Sequence, residues 1–441
     1  MNSASSKLTT KQRIALEYMI NGKNIFITGP AGTGKSTVIS LFRKVMKHKV
    51  IAVTSMTGIS AVILGGTTLH SYLGIGIGNA EWDILRNRIK KSQKSMLKWM
   101  TTDVLIIDEV SMLSPELLEK IDKIGRDLRT MRLPFGGIQL ILAGDFLQLP
   151  VVKNPNFCFE SKVWKDYIQE TVYLDEIVRQ TDNEFQNILN QIRFGIVNDE
   201  VKNFLNSRLS SEEKEEESEI KPTCLYTMNK DVNTMNENEL FKLGENRNPP
   251  LEYLEYNISV HFYEKQYNEK DSSDKLLKNS HLPATLTLCI GAQVMLLQNL
   301  DVENGLANGS RGVVIGFTDD DLPIVKFVNG EERSIDYYEL EIEEGKHKIA
   351  KLVQIPLRLA WSLTVHKAQS CTLDCAEMDL SNCFEFGQAY VALSRVRNKE
   401  GLRISRIYYE GIKAHPKAVE YYNNLINLQK DSVCLKIETK K

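Results

Sequence analysis

No run of apolar residues in this 441-residue chain approaches the roughly 20 needed to cross a bilayer as a helix. The stretch from Met1 to Thr10 is short and polar, with neither the apolar centre of a secretory signal nor the arginines of a mitochondrial presequence. Both absences lead to the expectation of an intracellular protein, cytoplasmic or nuclear, without a membrane partner. Cysteine is sparse and unpaired in pattern: Cys158, Cys224, Cys289, Cys371, Cys375, Cys383 and Cys434 are odd in number and irregularly spaced. Cys371 and Cys375 lie close together, but no second close Cys or Cys/His pair completes a zinc ligand set. Reduced thiols are the expectation. Net charge is nearly missing too, at −2 from 55 basic and 57 acidic residues. That excludes a protein that coats nucleic acid by bulk attraction and leaves room for a local basic groove.

What is present is an ordinary globular composition, 42% apolar and 25% charged. The length allows roughly two to four domains. In the first third, short apolar runs alternate with helical patterns. Asn24–Thr28, Lys49–Thr54, Asp103–Ile107 and Ile138–Ala143 read as strands, and Ser36–Lys47 as a helix. Leu117, Ile121, Ile124, Leu128 and Met131 recur at helical spacing between Glu116 and Met131, and Pro134, Gly136 and Gly137 end that run. Near-continuous apolar strands separated by helices indicate a parallel sheet covered on both faces. Ser211–Glu219 is an acidic run that reads as a solvated loop. Positions 245–281 show no period. From Ala284 to about Lys351 the pattern turns β-like, with turn signals at Asn304-Gly305, Asn308-Gly309 and Asn329-Gly330. Strand and helix patterns return after Pro356, and Pro416–Leu428 reads as a closing helix.

The chemistry is concentrated at strand ends. Gly29-Pro30-Ala31-Gly32-Thr33-Gly34-Lys35-Ser36, followed by Thr37, joins a strand to a helix. This is the context of a phosphate-binding loop: glycines let the backbone wrap the anion, successive N–H groups cradle it, and the helix N-terminus adds partial positive charge. Lys35 is placed for the β- and γ-phosphates of ATP and Ser36 for Mg²⁺. Asp108-Glu109 follows an apolar strand, where an open α/β sheet binds its ligands. Asp108 is the expected second Mg²⁺ ligand, and Glu109 the base that orients and deprotonates water. Gln148, in Gly144-Asp145-Phe146-Leu147-Gln148-Leu149-Pro150, is suited to sensing the γ-phosphate, and Arg179 and Arg395 to supplying transition-state charge. Phe146, Tyr72 and Trp361 are candidates for stacking on bases, and the six basic residues of Arg86–Lys98 for phosphate contact.

With these segments in order, the chain resembles superfamily-one DNA helicases, most closely the petite-integration-frequency (Pif) family, over about Leu8 to Leu402. Leu8-Thr9-x-x-Gln12 is similar to the motif whose glutamine reads adenine. Thr57-Gly58 and Gly66–Ser71 resemble the DNA-contacting motif Ia and its extension. Ile106–Ser111 is similar to motif II. Leu133–Gln139 running into Gly144–Pro150 resembles the stretch that sets this family apart, joined to motif III. Leu174–Gln180, Trp361–Asp374 and Gly387–Arg397 resemble motifs IV, V and VI. Two positions depart from the pattern: Ser370 stands where the family usually has Gly, and Val151 where a second Pro often follows Leu149-Pro150.

The resemblance implies an α/β protein of two RecA-like parallel-sheet domains with ATP between them. Residues 1–170 would form the first, with a wedge insert at about 79–98 beside the DNA fork. Residues 171–240 and 353–441 would form the second, and 241–352 a small β-barrel insert of the Src-homology-three kind. ATP contacts would come from Gln12 and Gly29 to Thr37. DNA contacts would come from Thr57, Gly58, His70, Ser71, His366 and Lys367. The implied activity is ATP-dependent, 5′-to-3′ translocation on single-stranded DNA and unwinding of forked duplexes by a monomeric motor, alongside single-strand-binding or replication proteins, in DNA repair, replication, recombination or telomere maintenance. Two other readings are a translocase of the RecD or Dda kind and a nucleotide-gated DNA-binding protein without turnover. Pro134–Gln139 argues against the first of these, and the intact set Lys35, Ser36, Asp108, Glu109, Gln148, Arg179 and Arg395 against the second.

Overall fold

The computed structural model describes residues 8–76, 78–151, 154, 156–180, 182–209, 222–226, 230–245, 251–263, 282–298, 300–301, 306, 308–344, 347–368 and 371–438. Six strands form the first sheet: β1 (Ile25–Thr28), β2 (Ile51–Ser55), β3 (Thr67–Thr68), β4 (Val104–Asp108), β5 (Gln139–Gly144) and β6 (Glu170–Tyr173). Their order is β3-β2-β4-β5-β1-β6, and every pairing is parallel. The four strands expected from the sequence are these within one or two residues. β3 and β6 were not foreseen; one is two residues long and the other carries polar residues at its start.

Period-two alternation assigns the two faces. Phe26, Leu105, Ile107, Leu140 and Leu142 point to one buried cluster, while Ile25, Ile27, Val104, Ile106, Ile141 and Ala143 point to the other. The helices of this unit are α1 (Thr10–Ile20), α2 (Lys35–Val45), α3 (Gly58–Ile63), α4 (Leu69–Leu73), α5 (Trp82–Lys91), α6 (Gln93–Thr101), α7 (Pro115–Leu128) and α8 (Lys162–Tyr167). Ala15 and Met19 of α1, with Val38, Ile39 and Phe42 of α2, cover one face. Leu117, Leu118, Ile121, Ile124 and Leu128 of α7 cover the other.

α7 begins where Ser114 accepts from Leu117 N and Pro115 fills the first turn. It ends three residues before the expected Met131, because the chain reverses onto it. Phe135 N donates to Asp122 Oδ1 at 2.7 Å, and Gly125 leaves no room for a Cβ, which would sit 2.7 Å from the Phe135 backbone. Leu133–Gly137 is therefore folded back against the helix that precedes it.

The second unit contains α9 (Asn183–Arg193), α10 (Asp199–Asn206), β7 (Thr223–Tyr226) and α11 (Lys230–Glu245). The acidic run 211–219 lies outside the described residues. An antiparallel insert follows: β8 (Leu254–Asn257), β9 (Ser259–Phe262), β10 (Thr285–Leu288), β11 (Gln293–Leu296), β12 (Arg311–Phe317), β13 (Pro323–Phe327), β14 (Glu332–Ser334), β15 (Tyr338–Glu344), β16 (His347–Gln354) and β17 (Leu357–Leu359). Five of these make a sheet ordered β14-β13-β12-β11-β17, and β8 and β10 pack Tyr256, Leu286 and Leu288 into the same core as Val294, Val314, Val325 and Leu357. Because β17 pairs with β11, the insert's pairing runs past the expected limit at residue 352. β8 and β9 lie in the stretch that showed no period. The Asn329-Gly330 turn joins β13 to β14 with Gly330 at φ 87°. Gly309 takes φ 98°, and Asn304-Gly305 lies outside the described residues.

The second sheet is completed by β18 (Ser362–Thr364), β19 (Ala376–Leu380) and β20 (Leu402–Ile407), in the parallel order β18-β7-β19-β20. Between them lie α12 (Val365–Ala368) and α13 (Gln388–Leu393). The closing helix, α14 (Pro416–Glu438), differs from the expectation that placed 353–441 wholly in the second unit. Its Ala418 and Tyr422 are buried in the first unit's core. Tyr421 stacks on Phe159 at 4.4 Å between centroids and meets Phe146 edge-on at 5.5 Å. Aromatic burial on the first sheet decides where this helix docks. No helix among the described residues is long and apolar enough to cross a membrane.

Candidate nucleotide site

The loop from Gly29 to Ser36 leaves the C-terminal end of β1, which lies between β5 and the edge strand β6 of the first sheet. Its glycines are forced by close neighbours as well as by φ. A Cβ on Gly29 would stand 2.1 Å from Leu174 O. One on Gly32 (φ 80°) would stand 2.5 Å from Arg179 Cβ, and one on Gly34 (φ 79°) 2.5 Å from Gln12 Nε2. Gly34 then caps α2. Lys35 Nζ donates to Gly29 O at 2.8 Å and to Pro30 O at 2.9 Å, and Thr33 Oγ1 donates to Pro30 O. Burial lowers the Lys35 pKa, against the pull of the Asp145, Glu109 and Asp108 carboxylates.

Gln12 supports this loop from behind. Its Nε2 donates to Thr33 O at 3.0 Å, while its Oε1 accepts from Thr9 N at 3.0 Å in the box that caps α1. Both ends of the amide expected to read adenine are thus engaged with the protein.

A cavity of about 330 Å³ opens in front of the loop. It is lined by Ala31 to Thr37, Ser60, Asp108, Glu109, Gln148, Val178, Arg179 and Arg395, among others. Every residue expected at the reacting end of the nucleotide converges here from five separate segments. Gln12, Gly29 and Pro30 do not line the cavity. Burial, and next Glu109, push the Asp108 carboxyl up to about 7. Glu109 takes a left-handed conformation at φ 56°, unusual for a non-glycine residue and frequent at functional turns. Ser36 Oγ and the Asp108 carboxylate are hard oxygen donors on one cavity, and a buried carboxylate with a raised pKa is the kind of group a divalent cation would hold ionised. The site therefore fits Mg²⁺.

The far wall carries Arg395 of the second unit, and Arg179, whose backbone N–H donates to Gly32 O at 3.2 Å, reaches across to it. Arg179 Nη1 donates to Ser394 O at 3.1 Å, Arg395 Nε to Val391 O at 2.8 Å, and Arg395 Nη2 to Ser394 Oγ at 2.7 Å. Burial, then the proximity of Arg395, lowers the Arg179 pKa to about 9, and burial lowers that of Arg395. The half-buried Arg179 and the buried Arg395, facing the loop that carries Lys35, form a receptor for a polyanion.

The DNA candidates are arranged differently. Thr57 and Gly58 begin α3, with Thr57 Oγ1 donating to Ser60 Oγ at 3.0 Å. His70 and Ser71 lie on α4; burial lowers the His70 pKa, and Ser71 is exposed. Both helices follow the C-terminal ends of β2 and β3, on the same side of the parallel sheet as the phosphate loop after β1. The side chains of His366 and Lys367, like Ser370, lie outside the described residues. The stacking candidates are core residues instead: Phe146 is 0%, Tyr72 6% and Trp361 6% exposed. The basic run on α5 and α6 is also less available than its composition implies. Arg86 and Lys90 pair with Asp127 of α7 at 3.2 and 2.9 Å, and Lys98 is buried over the Tyr72 ring. Arg88 and Lys91 remain exposed.

Sequence reasoning missed two groups. The Tyr390 hydroxyl of α13 accepts from Ala31 N at 2.9 Å, a bond across the cleft onto the loop itself. Asp145 and Arg193 form a fully buried ion pair beside it. Arg193 was detectable: it extends the buried face Phe185, Ile188, Leu189 and Ile192 of α9, where a cation needs a partner.

Comparison with known proteins agrees with this arrangement. The PIF1-like helicase family model matches residues 7–203, and that of the DNA helicase Pif1 2B domain matches 274–317, within the antiparallel insert. The ATP-dependent DNA helicase PIF1 of Xenopus laevis is 38% identical over 95% of this chain, and the chain spans 64% of that relative's length. The crystal structure of Pif1 helicase from Candida albicans is similar at TM-score 0.73 and 35% identity, over 95% of this chain and 99% of that one. Pif1 helicase from Bacteroides in complex with ADP-AlF3 and single-stranded DNA is similar at TM-score 0.63 and 28% identity, over 95% and 97%.

Proposed function

Because the chain belongs to the PIF1-like helicase family, we propose that it is an ATP-dependent DNA helicase that moves 5′ to 3′ on single-stranded DNA and unwinds forked duplexes. The convergence of Lys35, Asp108, Glu109, Gln148, Arg179 and Arg395 on one cavity carries this reading. ATP lies with its phosphates on the loop amides of Ala31 to Thr37. Lys35 leaves the loop carbonyls for the β- and γ-phosphate oxygens. Ser36 and Asp108 would hold Mg²⁺, which would supply charge neutralisation to the phosphates. Glu109 orients the attacking water and takes its proton, and Gln148 senses the γ-phosphate. Arg179 and Arg395 stabilise the charge that develops on the transferred phosphoryl group.

Thr57, Gly58, His70, Ser71, His366 and Lys367 are the proposed DNA contacts. The Bacteroides relative, solved with ADP-AlF3 and single-stranded DNA, supports the pairing of these two ligands. A monomeric motor inside the cell, working beside single-strand-binding or replication proteins, completes the proposal. The test is ATP hydrolysis with and without single-stranded DNA, followed by unwinding of forks with a single 5′ or 3′ tail. DNA-stimulated turnover and unwinding restricted to the 5′-tailed fork are expected. Turnover indifferent to DNA defeats the helicase, and unwinding from the 3′ tail reverses the polarity.

A further inference from the structure

Gln148 reaches the nucleotide cavity from a tight turn that Asp145 opens. Asp145 O accepts from Gln148 N at 3.0 Å, and Asp145 Oδ1 accepts from Leu147 N at 3.2 Å. The same carboxylate receives a two-pronged bond from Arg193, Nε to Oδ2 at 2.9 Å and Nη2 to Oδ1 at 2.8 Å. Both side chains are 0% exposed. Asp145 follows β5 of the first unit, whereas Arg193 ends α9, whose apolar face belongs to the second unit's core.

Other groups close on the same turn. Arg193 Nη1 donates to the Tyr173 hydroxyl at 3.1 Å, and its guanidinium lies 4.6 Å from the Tyr422 ring centroid. The Tyr422 hydroxyl accepts from Phe146 N at 3.1 Å and meets Thr28 Oγ1 at 2.5 Å. On the opposite side, a Cβ on Gly387 would stand 2.6 Å from Leu147 O and 2.7 Å from Gln148 O. The turn is thus gripped from the second unit by a bidentate ion pair on one side and by backbone contact on the other. Neither Arg193 nor Asp145 lines the cavity. A buried charge pair is a poor way to gain stability compared with apolar packing, and fixing one geometry is the use it serves best.

We infer that Arg193 is a positioning residue: its two-pronged hold on Asp145 sets the turn that aims Gln148 at the nucleotide, so that correct seating of the second unit brings Gln148 into register. The part played by Gln148 in turnover rests on the proposed function; the hold on the turn does not.

Arg193→Lys tests this, because it keeps the charge and loses the fork. The readouts are hydrogen exchange of the 145–150 segment, affinity for ADP with Mg²⁺, and kcat and KM for ATP with single-stranded DNA. Exchange at the Leu147 and Gln148 amides is expected to rise roughly tenfold or more while β4 and β5 keep their protection. Nucleotide affinity stays within about threefold and kcat falls at least about tenfold. In a Gln148→Ala background, Arg193→Lys adds no further loss of kcat. Unchanged exchange across 145–150 overturns the inference, as do losses that multiply in the double variant. Should Arg193→Lys not fold, Asp145→Asn, which keeps an acceptor for Leu147 N and loses the two-pronged ion pair, is expected to give the same pattern, and wild-type exchange there overturns it equally. If the wild-type protein turns over no ATP, the proposed function fails and the exchange comparison still decides the inference.

Discussion

At the scale of single residues, the cleft separates binding from chemistry. Lys35 belongs to the phosphate loop, so Lys35→Ala is expected to abolish ATP turnover with the circular dichroism spectrum unchanged. Arg395 stands on the far wall, where the proposed function has it meet the charge that develops in the transition state. Arg395→Ala is expected to keep ADP affinity within a few-fold and to lower kcat by about 10³-fold or more, as loss of a phosphoryl-transfer arginine does. Normal turnover in that variant removes Arg395 from the site.

Lys98 makes a different, pH-dependent prediction. Burial, and next Lys94, lower its pKa to about 7, against 10.5 for a free lysine. The unfolded chain then holds more protons between about pH 7 and pH 10.5, so this group makes stability rise with pH across that window. Its cost is complete below about pH 7 and absent above about 10.5. Lys98→Met is therefore expected to raise the melting temperature by a few degrees at pH 6 and by progressively less toward pH 10, as followed by calorimetry. An equal gain at both pH values contradicts the burial argument.

At the scale of elements, the sequence disclosed the phosphate loop because glycine spacing and the strand-to-helix context are local. It also disclosed Asp108, Glu109, Gln148, Arg179 and Arg395, each next to a recognisable motif. What it did not disclose depends on partners far along the chain. The cations of α5 and α6 read as one basic stripe, yet Asp127 on α7 pairs with two of them. Phe146 reads as a candidate for stacking on bases, yet α14 covers it. The expected DNA contribution of the stripe narrows accordingly. Arg88→Glu with Lys91→Glu is expected to weaken binding to a forked DNA and to flatten its salt dependence by about 0.7 for each phosphate no longer neutralised. Reversing Arg86 and Lys90 instead is expected to disturb the α5–α7 packing first, read as a lower melting temperature. A salt slope that does not change in the first pair dissociates α5 from DNA.

For the whole molecule, the nucleotide cavity exists only where two units meet. A ligand that spans such a cleft stabilises both sides together. Saturation with Mg²⁺ and ADP-AlF4 at about 100 times the Kd is expected to add about 2.7 kcal/mol. In thermal unfolding this appears as a single transition moved upward by several degrees. Lys35→Ala is expected to lose most of that shift. A shift confined to one of two resolved transitions would show that the ligand engages one unit alone.

The return of α14 to the first unit has a consequence for how the protein is made. Thr28 and Phe146 lie early in the chain, and the Tyr422 hydroxyl that satisfies them arrives only after the entire second unit has left the ribosome. The nascent first unit therefore waits, with its aromatic core partly uncovered, through most of translation. A polypeptide released early would present that uncovered surface to chaperones and proteases, so completion of synthesis is itself a condition for a competent cleft.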